Sequence, residues 1–142
     1  MTEEVYWAEK GRGAFLNGKG IKVGDVSELK DAFVTAEWWS RSDEYMDKGI
    51  SLFTDLAKKC AKIRYLSGTV WSLTRVARGL IDVETCDTSL LDVAAAGLII
   101  EEAGGALTDS RGKTIEPFDM EMKRIVAANR RLHSQLIHVI KS

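Results

Sequence analysis

The chain has 142 residues, of which 45% are hydrophobic and 29% charged, as in a folded globular domain rather than a disordered or fibrous chain. Lys and Arg total 20 against 21 Asp and Glu, so the net charge favours neither a nucleic acid nor a membrane as partner. Cys60 and Cys86 show no metal-ligand spacing and no disulfide framework, and we find no membrane-spanning run or signal-peptide pattern. These features predict a single domain over residues 1–142, in the cytoplasm.

The first part of the chain predicts an antiparallel meander. Residues 4–9 and 14–16 have the β-branched and aromatic content of strands. Asn17-Gly18 is a strong signal for a hairpin turn, and residues 21–23 return as a third strand.

Strands and helices alternate from residue 31 onward. The predicted strands cover residues 31–38, 62–66, 80–84, 106–108 and 124–128, and the predicted helices cover 42–60, 69–79, 89–103 and a final segment capped by Asn129. This order predicts an α/β fold with a mixed sheet flanked by helices.

The helix predicted over residues 89–103 organises the rest of the chain. It is apolar on almost every face, so we expect it to be covered on most sides. Ser89 is the expected N-cap, and Gly104-Gly105 supplies the left-handed stop. Asp92 lies in the first turn, where a carboxylate serves either as a cap or as a ligand, and the pattern leaves both interpretations open.

Two further features carry a structural and a functional interpretation. Gly68-Thr69 begins a helix directly after a strand, so its backbone N–H groups either start an ordinary helix or bind an anion or a ligand hydroxyl. The tryptophans are interpreted mainly as packing residues, with stacking on a base or a sugar as the alternative. They are Trp7, Trp38, Trp39 and Trp71.

Three motifs follow one another along the chain. Residues 4–21 contain G-A-F-L-N-G, residues 91–95 read L-D-V-A-A and continue into E-A-G-G at 102–105, and Ala128-Asn129 is followed by Leu132-His133. Together they resemble the C-terminal half of the inositol monophosphatase family of magnesium-dependent inositol and sugar phosphatases. The resemblance runs from residue 4 to the end of the sequence.

The resemblance implies a function for several residues. By the resemblance, Asp92 corresponds to a family ligand of Mg²⁺, the expected cofactor. A carboxylate suits that role, because this metal prefers hard oxygen ligands. The resemblance implies substrate contacts at Arg64, Gly68, Thr69 and Glu84, with Asp87 as the second candidate for the position given to Glu84. The implied substrate is inositol monophosphate or a related sugar phosphate, fructose 1,6-bisphosphate included, and relatives are commonly homo-oligomers.

The sequence also departs from the family pattern. Leu91 stands where the signature has tryptophan, and aligning residues 64–69 without gaps puts Ser67 at the expected glycine. The family motif D-P-[IL]-D-G-T, which carries other magnesium ligands, does not occur. We therefore expect little activity unless a separate N-terminal half or a longer parent chain completes the site. The alternative hypothesis is a non-catalytic truncated relative that acts in protein interaction or self-association.

Overall fold

The computed structural model describes residues 3–38, 42–115 and 123–141. The strands are β1 (Tyr6–Glu9), β2 (Gly13–Leu16), β3 (Lys19–Ile21), β4 (Phe33–Ala36), β5 (Lys62–Arg64), β6 (Val83–Thr88), β7 (Gly105–Asp109) and β8 (Lys123–Asn129). The helices are α1 (Asp43–Ala57), α2 (Thr69–Ala77), α3 (Leu90–Glu102) and α4 (Arg130–Lys141). No helix among the described residues is long and apolar enough to cross a membrane.

The predicted meander forms a three-stranded antiparallel sheet in the order β1-β2-β3. Asn17 and Gly18 turn the chain at φ values of 48° and 79°, which confirms the predicted hairpin. The Asn17 side chain accepts a hydrogen bond from the Val5 N–H at 2.8 Å, so it also ties the turn to the start of β1.

A five-stranded mixed sheet forms the centre of the fold, in the order β5-β4-β6-β8-β7. Strands β5, β4 and β6 are parallel, whereas β8 runs antiparallel to both β6 and β7. This arrangement confirms the predicted mixed sheet flanked by helices.

Each face of this sheet is covered by two helices. Because side chains alternate along a strand, Cys86 packs with α2, α3 and the small sheet, whereas Val83 packs with α1 and α4. At the start of α4, the Asn129 side chain accepts hydrogen bonds from the N–H groups of Arg131 and Leu132, both at 3.0 Å, as the predicted cap requires.

Strand β6 begins later than the sequence predicts. The carboxylate of Asp82 accepts a hydrogen bond from the Phe33 N–H at 2.8 Å, and the Asp82 N–H donates to the Phe33 carbonyl at 3.0 Å. Pairing with β4 then starts at Val83, and the strand continues through polar residues to Thr88 because β8 pairs with its other edge. Glu84 therefore lies inside the strand rather than at its end.

Helix α3 differs from the prediction in how it is covered. Gly104 ends the helix at φ 90°, as predicted, but the Ser89 side chain makes no capping hydrogen bond. The expectation of burial on most sides is wrong for one face: Leu91 is 78% exposed, and Ala94 and Ala95 are exposed beside it. Within the described residues, this apolar face of α3 has no covering layer.

Candidate ligand and metal site

A pocket of about 620 Å³ opens where three parallel strands end. Glu37 directly follows β4, Tyr65 follows β5, and Asp87 lies near the end of β6. The carboxyl ends of parallel strands are where open α/β sheets bind ligands. The lining residues are Glu37, Trp38, Tyr65, Ser67, Gly68, Thr69, Val70, Trp71, Asp87 and Asp92.

Asp92 lies at the pocket in the first turn of α3. Its side chain is exposed, and its Oδ2 accepts a hydrogen bond from the Thr88 hydroxyl at 2.9 Å. This hydrogen bond holds the carboxylate and leaves its second oxygen available to a ligand. The position suits a metal ligand, a role that stays a prediction.

Gly68 and Thr69 lie at the pocket where α2 begins. Gly68 is the N-cap residue at φ 139°, a backbone conformation that side chains rarely adopt, and Thr69 is the first helical residue. The Gly68 N–H donates to the Glu37 carboxylate at 3.4 Å, a long contact that a ligand can displace. Gly68 and Thr69 therefore line the same pocket as Asp92, and the substrate contacts that the resemblance implies for them stay a prediction.

Two more carboxylates line the pocket beside Asp92. Glu37 is 8% exposed, and this burial raises the pKa of its carboxyl above the ordinary value. Asp87 accepts a hydrogen bond at 2.6 Å from the guanidinium of Arg124, and both side chains are largely buried. The described lining residues include three carboxyl groups and no lysine or arginine, and Arg124 offsets the charge of Asp87 from outside this lining; we call this the acidic pocket.

The structure does not place Glu84 or Arg64 at the pocket. Glu84 is fully buried, accepts a hydrogen bond from the Thr35 hydroxyl, and has its pKa raised to about 8 by desolvation. Asp87, the second candidate, lines the pocket instead, because β6 extends beyond residue 84. Arg64 is exposed, and its guanidinium donates to the Ile63 carbonyl at 2.8 Å.

Sequence reasoning missed Glu37 and Tyr65, and it named Trp38 and Trp71 mainly as packing residues, with stacking on a ligand as the alternative. Glu37 follows the strand segment F-V-T-A, and a carboxylate directly after an apolar strand is the signal that would have identified it. Tyr65 had no comparable signal, because it reaches the pocket from the loop after β5, whereas Trp71 reaches it from the first turn of α2. Trp39 lies outside the described residues.

The residues present fit a magnesium ion in part. Three carboxylates at one pocket are the hard oxygen donors that this metal prefers. However, no group of three or more His, Cys, Asp or Glu in the described ranges is arranged to hold a metal. Asp92 therefore suits one position of a site that needs further ligands.

A pocket at the carboxyl ends of parallel strands, beside two helix N-termini, is the place where α/β proteins bind small molecules. The model of the inositol monophosphatase family matches residues 1–142. The chain belongs to this family of phosphatases.

Individual relatives support the same assignment. The chain is 33% identical over 140 residues to a fructose-1,6-bisphosphatase/inositol-1-monophosphatase of Aquifex aeolicus. This match covers 98% of the present chain and 51% of the relative. It is 31% identical over 139 residues to an inositol monophosphatase of Dictyostelium discoideum, covering 96% and 50%. The solved inositol monophosphatase of Anabaena superposes with a TM-score of 0.87 at 27% identity, over 98% of this chain and 54% of that structure. The chain spans about half the length of these relatives.

Proposed function

We propose that the chain supplies the alcohol-binding side and one metal ligand of a magnesium-dependent phosphomonoesterase. The substrate class is inositol monophosphate or a related sugar phosphate, with fructose 1,6-bisphosphate included. The observation that carries this proposal is the acidic pocket that joins Asp92 to the start of α2. Arg124 offsets Asp87 and burial favours the neutral form of Glu37, so Asp92 is the carboxylate whose repulsion of a phosphate dianion a cation must relieve, and Mg²⁺ is the cation that such an oxygen donor suits.

Each pocket group has a distinct task in this proposal. Asp92, held by Thr88, ligates the metal. The N–H groups at Gly68 and Thr69 face the ester oxygen or a neighbouring hydroxyl, while Glu37 and Asp87 accept hydrogen bonds from hydroxyls of the alcohol. Bound Mg²⁺ supplies Lewis-acid stabilisation of the phosphate oxygens and activation of the attacking water.

In this proposal the remaining metal ligands come from residues outside these 142, either in a separate N-terminal half or in a longer parent chain. Two observations support it: the sequence contains no D-P-[IL]-D-G-T, and Asp92 has too few acidic neighbours among the described residues to hold the metal alone. The exposed apolar face of α3, with Leu91 78% exposed, offers a surface that those residues can cover.

The test is phosphate release after mixing the chain with a polypeptide that carries the family's paired glutamates and D-P-[IL]-D-G-T. With Mg²⁺ and inositol monophosphate, we expect turnover, and we expect Asp92→Asn to lower kcat on the order of 100-fold or more because a metal ligand is lost. Asp55→Asn, an exposed position on α1, is the matched control and should retain full activity. Full activity of the Asp92→Asn mixture would show that the ligand assignment is wrong.

A non-catalytic interaction module is the second candidate function, and the same exposed face of α3 favours it. In that case, the mixture forms a complex but releases no phosphate, and Asp92→Asn leaves complex formation unchanged. Self-association of the chain through Leu91 is tested separately, by measuring the molar mass of the unmixed chain in solution.

A further inference from the structure

Three buried oxygen atoms beneath the acidic pocket have no hydrogen-bond partner among the described residues. They are Oε1 of Glu37, Oγ of Ser72 and Oε1 of Glu84. Ser72 and Glu84 are fully buried, and Glu37 is 8% exposed. A buried polar atom without a partner costs free energy. The fold therefore keeps two carboxyl groups in a place where neither is fully satisfied.

The two carboxyl groups lie on neighbouring strands and on one face of the central sheet. Thr35 of β4 is paired with Glu84 of β6, and the Glu37 N–H donates to the Thr85 carbonyl at 2.9 Å. Because side chains alternate along a strand, Glu37 lies on the same face as Thr35 and Glu84, as a diagonal neighbour of Glu84. Burial, and after it the charge of Glu37, raises the pKa of Glu84 to about 8.

The other groups around Glu84 leave Glu37 as the charge that it must meet. Arg124 of β8 lowers the pKa of Glu84, but its guanidinium is paired with Asp87 at 2.6 Å. The Cys86 thiol stays neutral, because burial raises its pKa well above the ordinary value. Helices α2 and α3 pack uncharged side chains on this face, among them Ser72, Leu73, Ala77, Val93 and Ile100.

Glu37 connects this buried pair to the pocket. Its Oε2 accepts the hydrogen bond from the Gly68 N–H at 3.4 Å, at the N-cap of α2. A carboxylate at a helix N-terminus stabilises the first turn. Burial raises the pKa of both carboxyls, but Glu37 is the less buried and the Gly68 N–H favours its ionised form, so Glu37 ionises before Glu84.

We propose that Glu84 is a positioning residue for the pocket: in its neutral form it leaves the Glu37 carboxylate beside the start of α2, and its ionisation drives that carboxylate outward. Glu84 cannot move away, because it is fully buried and its Oε2 accepts a hydrogen bond from Thr35. Glu37 lies at the pocket wall with one oxygen unpartnered, so repulsion between the two charges moves Glu37.

This coupling changes the pocket with pH. As pH rises through about 8, the start of α2 loses its carboxylate and the open space of the pocket gains a negative charge. The coupling requires neither a ligand nor a metal, so it goes beyond the proposed function and does not depend on it.

Carbon-detected nuclear magnetic resonance of the isotope-labelled chain, without Mg²⁺ and phosphate esters, tests this coupling. The ¹³Cδ shifts of Glu37 and Glu84 and the ¹³Cα shift of Gly68 are followed on both sides of pH 8. We expect the Glu84 transition to appear with the same midpoint at Gly68 and Glu37. Glu84→Gln should remove it from Gly68, which should keep its low-pH shift throughout. Glu101→Gln, at an exposed position of α3, is the matched control and should retain it.

A second variant tests the charge of Glu37 without altering Glu84. Glu37→Gln removes that charge, so the midpoint of the Glu84 transition should move to lower pH. A Glu84 transition that leaves Gly68 and Glu37 unchanged would overturn the positioning role. The same holds for a Gly68 transition that persists in Glu84→Gln, or for a Glu84 midpoint that Glu37→Gln does not move.

Discussion

Glu84→Gln is expected to remove a pH dependence of the free energy of unfolding that the wild-type chain shows between about pH 4.5 and 8. Burial raises the pKa of Glu84 to about 8 from 4.5 for an ordinary glutamate, so between these values the folded state keeps a proton that the unfolded state has released. This carboxyl therefore stabilises the fold most below pH 4.5 and loses that contribution as pH rises to 8. The slope is about 1.4 kcal/mol per pH unit.

The measurement is urea unfolding of both proteins at a series of pH values, with the difference between their free energies of unfolding plotted against pH. Glutamine keeps the shape of the protonated carboxyl and can still accept the Thr35 hydrogen bond. The free energy of unfolding of the variant should therefore increase relative to that of the wild type as pH rises. Glu101→Gln, at an exposed position of α3, is the control and should show no such trend. A difference that is flat with pH would mean that Glu84 is ionised in the folded chain.

Gly49→Ala should destabilise the chain and displace one wall of the acidic pocket. A Cβ atom at Gly49 would lie 2.3 Å from Cγ of Trp38 and within 2.7 Å of two further ring atoms. The ring cannot move away freely, because its N–H donates to the Met46 sulfur at 3.2 Å and Tyr65 packs against it. Overpacking of this kind costs about 1–3 kcal/mol, more than the roughly 1 kcal/mol that alanine gains over glycine in a helix.

Gly97→Ala is the matched control for this variant. Gly97 also lies inside a helix, but nothing lies within 4 Å of the place where its Cβ would be. This change should stabilise the chain by up to about 1 kcal/mol in the same unfolding assay. If Gly49→Ala proved as stable as Gly97→Ala, the close packing of Trp38 on α1 would be contradicted.

Local sequence signals predicted most of the elements because they depend on neighbouring residues. Asn17-Gly18 determines its turn through its own backbone preference, and Asn129 caps α4 through groups two and three residues away. Gly104 ends α3 for the same kind of reason. These residues required no knowledge of the rest of the fold.

The errors arose where partners distant in sequence decide the outcome. Strand β6 includes polar residues that do not look like a buried strand, and it persists because β4 and β8 pair with both of its edges. That shift moved Glu84 into the core and brought Asp87 to the pocket. The exposure of Leu91 could not be predicted either, because an apolar helix pattern does not show whether residues of the same chain cover every face of the helix.

The candidate site was predicted in outline through the family resemblance rather than through composition. Asp92 and the Gly68-Thr69 start of α2 come from different parts of the sequence, and the structure brings them to one pocket. Glu37 joins them because the parallel strands end on the same side of the sheet. Trp71 was named as a possible stacking residue, but its place in the pocket wall could not be inferred, since Arg75, which lies over its ring at 4.6 Å, pairs with Glu4 from a distant part of the chain.

The central claim is that this chain carries one side of a magnesium-dependent phosphatase site. Phosphate release by the chain alone, with Mg²⁺ and inositol monophosphate or fructose 1,6-bisphosphate, tests this claim most directly. We expect no release above the uncatalysed background from the chain alone, and release after a polypeptide with D-P-[IL]-D-G-T is added. Robust magnesium-dependent turnover by the chain alone would contradict the account, because Asp92 and its neighbours would then form a complete site.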